Sequence, residues 1–222
     1  MSSFKKFWPK TDLTLVQAHE LFVALLVCWQ ARPTTVSLVI GAGLSLGGLA
    51  LRIWTSGYPR PWQSFAVYGP YRFARHPYHL GSFLALIGFC LAGRSAWVTG
   101  IMLAGTGLIF RSIMREEEVT QDRIGGPAFR DYRTQVSSLL PNLVPYPVSH
   151  GYNHTFSLSY ALLKGERREL DSFVLLMVGY GLLYGITQLQ NAAVVQMWLA
   201  GFLAFGLALR FFWPYIRQQV HE

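Results

Sequence analysis

Apolar residues run in long blocks along this chain, and the polar residues collect between the blocks. Six apolar windows stand out, at about Leu13 to Trp29, Val36 to Leu51, His79 to Ala92, Ala96 to Phe110, Phe173 to Leu189 and Ala192 to Leu209. A membrane-spanning helix needs roughly 17 to 25 residues, and most of the windows reach or approach that length. The third, from His79 to Ala92, is short for a full crossing, and Gln17, His19 and Glu20 interrupt the first. The pattern predicts an all-α, polytopic integral membrane protein of about six transmembrane helices.

Composition agrees: 52% of the 222 residues are apolar and 14% charged, with a mean hydropathy of +0.30. The first window lacks the small-residue pattern of a cleavable signal peptide and is followed at once by Arg32 and Pro33. Basic residues favour the cytoplasmic side of short loops. With the N-terminus inside, six spans leave only Arg32 and Arg94 of the 19 lysines and arginines outside. Both termini are therefore expected on the cytoplasmic face of a bacterial-type inner membrane. The net charge of +8 then reads as a topology signal and an attraction to anionic membrane lipids, and no nucleic-acid surface is expected. No protein partner is evident. Cys28 and Cys90 fall within spans and read as packing residues, neither a disulfide nor a metal pair; no metal site is expected.

Both long polar segments, 52 to 78 and 111 to 171, face the same inner compartment under this topology. In the second window Gly43 and Gly47 form a small-xxx-small step that lets another helix approach closely. Gly179, Gly181 and Gly185 repeat the theme in the fifth, and both read as packing. At Gly125, Gly126 and Pro127 one helix should end and another begin. The following PAFRDYRTQV places Phe129, Tyr132 and Val136 on one face, with Arg130, Asp131 and Arg133 turned away. It predicts a short amphipathic helix, a cover or a lid.

Two stretches carry candidate chemistry. In GPYRFARHPYHLG, residues 69 to 81, Pro70 and Pro77 disfavour helix at the positions before them, predicting an irregular segment that delivers Arg72, Arg75 and His76 to the inner surface. Gly81 leaves backbone open to close approach. In IFRSIMREEEV a continued helix puts Arg111, Arg115 and Glu118 on one face at i, i+4 and i+7, with Glu116 and Glu117 elsewhere. Two stacked arginines repel unless an anion lies between them, so this face suits a carboxylate or phosphate. The plain alternative is interfacial anchoring, with Glu118 paired to Arg115 and Arg111 snorkelling to headgroups.

Taken together, RHPYHLG, an apolar helical pair, REEE and GGPAFRDY resemble the membrane-embedded methyltransferases typified by isoprenylcysteine carboxyl methyltransferase and the phospholipid N-methyltransferases. The matching positions are Arg75, His76, Pro77 and Gly81, then Glu117 and Glu118, then Gly126, Phe129 and Tyr132, and a proline near Pro141. Tyr78 follows the proline directly, with His79 where the family carries its tyrosine, and Phe129 lacks the family's hydroxyl. The resemblance covers roughly residues 40 to 145 within a core of 1–145. Residues 146–222, an inner-side segment and two further spans, lie beyond it.

The resemblance implies S-adenosylmethionine as methyl donor, held by the inner-side polar segments, and a lipophilic acceptor arriving from the bilayer, an isoprenylcysteine-type carboxylate or a lipid headgroup. It puts Arg75, His76, Tyr78, Gly81, Glu117 and Glu118 on the cofactor. A carboxylate favours a sulfonium, an ammonium or ribose hydroxyls, and an arginine pairs with the methionine carboxylate. Arg111 or Arg115 would hold an acidic acceptor, and Glu117 would take the proton of an amine acceptor. Two other readings stand beside it: a nicotinamide-dependent membrane reductase of the sterol reductase type, and a membrane protein without catalysis.

Overall fold

Thr34 starts a long apolar helix because its hydroxyl accepts from Ser37 N–H at 3.3 Å while Ser37 Oγ accepts from Thr34 N–H at 2.9 Å, a reciprocal cap that satisfies two otherwise orphaned donors. In this computed structural model, which describes residues 22, 26–58, 65–147, 155–164, 169–188 and 201, that helix is α1, Thr35–Ser56. A 3₁₀ turn at Gly69–Arg72 follows, then α2, Pro77–Gly93, with the proline at its first turn. Next come α3, Ala96–Gln135, a π-turn at Tyr160–Lys164 and α4, Glu169–Gln188. The described residues hold no β-sheet; the only strand-like pairing among them is an isolated bridge between Ala74 and Ser137. The fold is all-α.

Among the described residues two helices, α1 and α3, are long and apolar enough to cross a membrane, and α2 and the Ser172–Thr187 part of α4 are shorter apolar helices. Large apolar side chains also point outward along them: Val36, Val39 and Ile40 on α1, Ile101 and Leu108 on α3, Val174 and Met177 on α4. This surface is consistent with a membrane protein. At about 1.5 Å per residue the stretch of α3 before its bend at Gly126 runs to roughly 45 Å, longer than a hydrocarbon core of about 30 Å, so the charged half extends beyond any membrane its apolar half crosses. The windows at Leu13 to Trp29 and Ala192 to Leu209 lie largely or almost wholly outside the described residues.

The α1–α2 contact is antiparallel and close, and it uses different glycines from the pair singled out by spacing. A Cβ on Gly41 would stand 2.5 Å from the Gly88 carbonyl oxygen, and one on Gly81 would stand 2.6 Å from that of Gly48. Gly43 and Gly47 have nothing within 4 Å of such a Cβ. The seven-residue step from Gly41 to Gly48 keeps one face toward α2, whereas Gly43 and Gly47 lie on another. Ser45, between them, donates to the Ala85 carbonyl at 2.8 Å and hydrogen-bonds the Tyr180 hydroxyl at 2.9 Å, which docks α4. Cys28 packs with Ala31, Ala92, Leu183 and Ile186, and Cys90 with Val27, Val98 and Met102; both thiols are free.

The helix break at the GGP stretch is a kink inside α3. Gly126 has φ 52° and ψ −132°, a backbone conformation that a side chain would strain, and Pro127 opens the next turns. Beyond it Phe129, Tyr132 and Val136 are buried against Phe65, Val67 and Tyr146, while Arg130, Asp131 and Arg133 are exposed. The amphipathic face is used as a structural cover: Tyr132 donates from its hydroxyl to the Tyr71 carbonyl at 2.7 Å.

Candidate functional site

One end of the helix bundle gathers the C-terminal turn of α1, the N-termini of α2 and α4, and the middle of α3. The segment before α2 is irregular, as its prolines dictate, and its backbone is tied down. Arg75 and His76 N–H groups donate to the Ser137 and Ser138 carbonyls at 2.8 and 2.9 Å, and Asn142 and Tyr146 N–H donate back to Phe73 and Arg72. Arg72 Nε also donates to the Tyr146 carbonyl at 2.9 Å. These bonds fix the backbone from which Arg75, His76 and His79 project.

His76 sits between two carboxylates. Its Nδ1 is 3.1 Å from Glu117 Oε2 and its Nε2 3.2 Å from Glu118 Oε1. His79, one helical turn on, brings Nε2 to 3.5 Å from the same Glu117 oxygen. Arg75 Nη1 is 2.7 Å from Glu118 Oε1, too poorly aligned for a hydrogen bond; Nε of Arg75 also makes none, although buried. Arg133 approaches Glu118 Oε2 at 3.7 Å. Phe110 closes the apolar side against the His79 ring, with centroids 4.9 Å apart.

Electrostatics follow from this packing. Burial alone would lower the His76 pKa, but hydrogen bonds to Glu117 and Glu118 and their negative charges outweigh it, leaving the imidazole above its usual 6.5. The hydrogen bond from His76 holds Glu118 below its usual 4.5, helped by the charges of Arg75, His76 and Arg133 against the cost of burial. The cluster thus sets an imidazole, whose protonated form its neighbours favour, and a guanidinium against two acidic side chains.

A second cluster abuts the first through Tyr78. Arg52 on α1 donates from Nη2 to the Tyr78 hydroxyl at 2.7 Å and to Ser172 Oγ at 2.8 Å, and from Nε to Glu169 Oε2 at 3.0 Å. Ser56 donates to the other Glu169 oxygen at 3.0 Å, and the Arg52 guanidinium lies 4.7 Å from the Tyr78 ring centroid. Spacing does not flag Arg52 or Glu169; the sequence signal for Glu169 is a carboxylate opening an apolar run.

The structure therefore brings Arg75, His76, Tyr78, Glu117 and Glu118 to one place and leaves three expected residues elsewhere. Gly81 is buried at the α1–α2 contact, where Gly48 and Arg52 occupy the space a side chain would need; its missing Cβ serves helix packing. Arg111 and Arg115 are exposed, and Glu118 pairs with Arg75, His76 and Arg133 instead. The face of α3 turned to the bundle is Phe110, Glu117 and Gln121, at i, i+7 and i+11. Glu118 borders that stripe while the two arginines fall outside it. Glu117, expected to point elsewhere, is at the centre.

Between Tyr71, Arg75, His76, Tyr78, His79, Glu117 and Gln121 lies a cavity of about 10 Å³, room for one water or one ion. His76, His79 and Glu117 also present donor atoms within 4.8 Å of one another, a set able to hold a metal ion. Comparison of the chain with protein-family models, curated proteins and solved structures finds no match.

Proposed function

We propose that the chain is an S-adenosylmethionine-dependent methyltransferase acting on a lipophilic acceptor at the inner face of the membrane. The observation that supports this best is the mixed-charge cluster: RHP and REEE, far apart in sequence, meet with His76 Nδ1 3.1 Å from Glu117 and Arg75 2.7 Å from Glu118. Such a set suits a zwitterionic ligand. Arg75, with donor capacity unused at Nε and Nη1, would pair with its carboxylate, and Glu118 with its ammonium or ribose hydroxyls. The donor set fits the cofactor; the enclosed volume of about 10 Å³ does not until the side chains around Gln121 and Glu117 part.

Bound S-adenosylmethionine supplies a methyl group on a sulfonium, transferred as the acceptor's lone pair forms the new bond and the sulfur keeps the old bonding pair. The protein's share is mainly positioning and dryness. Phe110 and the buried histidine rings exclude water, and Glu117 takes the proton if the acceptor is an amine. Arg111 and Arg115, exposed on α3 beside its apolar half, would attract the carboxylate or phosphate of a lipid acceptor. The topology belongs to the same reading: six spans, both termini cytoplasmic, and the site at the inner interface.

The test has two arms. S-adenosylmethionine, and not a nicotinamide nucleotide, should raise the melting temperature of detergent-purified protein; at a hundred times its dissociation constant a ligand stabilises by about 2.7 kcal/mol. In liposomes a labelled methyl group should pass to acceptors with long apolar tails, with turnover efficiency falling roughly a hundredfold as four methylenes are removed. A shift with the nicotinamide nucleotide alone would make the protein a reductase; no shift with either would leave it without catalysis.

A further inference from the structure

A structural ion pair for Glu117 needs one imidazole, yet two are aimed at the same carboxylate oxygen, Oε2, at 3.1 Å from His76 and 3.5 Å from His79. We propose that His76 Nδ1, His79 Nε2 and Glu117 form a three-ligand site for a divalent transition-metal ion of the zinc class, with water at the fourth position. The donor set of two imidazoles and one carboxylate is one that zinc accepts. With metal–ligand bonds of about 2.0–2.2 Å, tetrahedral ligands stand roughly 3.3 to 3.5 Å apart. The two measured separations bracket that range, and the three donors lie within 4.8 Å of one another.

Three further observations point to an ion. The far nitrogen of His76 is 3.2 Å from Glu118 Oε1, and Glu118 is held in turn by Arg75 at 2.7 Å. A carboxylate on the outer ring nitrogen fixes the tautomer and orientation of a metal-binding histidine. Both imidazoles are buried, at 3% and 7% exposure, and the space they line, about 10 Å³, suits one ion or water. The ligands are also preorganised: His76 and His79 flank the braced start of α2, and Glu117 lies mid-helix on α3.

Binding is a simple exchange. The ion accepts lone pairs from His76 Nδ1, His79 Nε2 and a Glu117 oxygen, and any proton on Nδ1 leaves to solvent. The inference does not rest on methyl transfer. Because His76 and Glu117 serve both readings, the ion and the cofactor should exclude one another, which would make the ion an inhibitor of the proposed reaction.

The experiment uses untagged, full-length protein in detergent, stripped with chelator and titrated with Co²⁺ and Zn²⁺ in the absence of any nucleotide. One Co²⁺ per chain with the intense visible bands of tetrahedral coordination, displaced by one Zn²⁺, is expected. His79→Gln should weaken Zn²⁺ binding at least a hundredfold, with the metal-free variant melting near the wild-type temperature, and Glu118→Gln should weaken it about 10–100-fold. His150→Ala with His154→Ala should change nothing. Absence of the tetrahedral spectrum in the wild-type protein overturns the site whatever the variants do. So does affinity that survives His79→Gln or falls with the His150 and His154 changes. Failure to bind S-adenosylmethionine would count against the methyltransferase and leave this result standing.

Discussion

Arg52 and Glu169, 117 residues apart, form a buried pair in which Arg52 Nε donates to Glu169 Oε2 at 3.0 Å and the carboxylate side chain has no exposed surface. The pair ties α1 to α4 and holds Tyr78 at the edge of the site. Removing one partner strands the other in a dry environment, at a cost of about 3–5 kcal/mol, whereas replacing both with apolar residues can be near neutral. Glu169→Leu should therefore lower the melting temperature strongly, and Arg52→Met combined with Glu169→Leu should recover most of the loss. A single variant that melts like wild type would contradict the burial of the pair.

The glycines of α1 divide into two classes. Gly48→Leu drives a side chain into the Gly81 carbonyl and the Ala85 backbone and should destabilise by at least the 1–3 kcal/mol typical of overpacking. Gly43→Leu meets nothing within 4 Å and should fold normally. Melting in detergent compares them, and equal effects would mean that the helices pack on another face.

Stability should peak in mildly acidic solution. The folded-state pKa of Glu118 lies below 4.5, so its contribution is present above that pH and is lost as pH falls through the depressed value. That of His76 lies above 6.5, so its contribution is complete below that pH and is lost as pH rises through the raised value. Melting temperature, measured in chelator, should be highest between about pH 4.5 and 6.5, and His76→Asn should flatten the alkaline decline.

Tyr132→Phe keeps the ring in its cluster and deletes the hydroxyl that donates to the Tyr71 carbonyl at 2.7 Å. One hydrogen bond to a buried carbonyl is lost, so a destabilisation of about 0.5–1.5 kcal/mol is expected. Since Tyr71 also lines the small cavity, ligand affinity should weaken in step with stability. An unchanged melting point would show that water replaces the bond.

Glu118→Gln and the pair Arg111→Gln with Arg115→Gln should act on different steps. The first removes a charge from the cluster and should weaken S-adenosylmethionine binding by about 1.5–3 kcal/mol. The second alters an exposed face and should raise KM for an anionic lipid acceptor while leaving cofactor affinity unchanged. A loss of cofactor affinity in the arginine variant would return those residues to the cofactor site.

Local physics determined much of this protein in one dimension. Apolar blocks set the helices, because backbone groups leaving water must be satisfied within a helix. Pro70 and Pro77 set the irregular segment and the start of α2, the Gly126–Pro127 step set the kink, and the spacing of Phe129, Tyr132 and Val136 set a buried face. The RHP and REEE stretches were legible as unusual for an apolar chain. What needed three dimensions was every choice among faces. A helix offers each residue a direction, but only the packing of α3 against α2 decided that Phe110, Glu117 and Gln121 turn inward and Arg111 and Arg115 outward. In the same way the bundle picked Gly41 and Gly48 over Gly43 and Gly47. It also joined Arg52 to Glu169 and set His79 beside His76, because contacts between distant segments depend on how helices are rotated about their axes, which no spacing rule along one helix encodes.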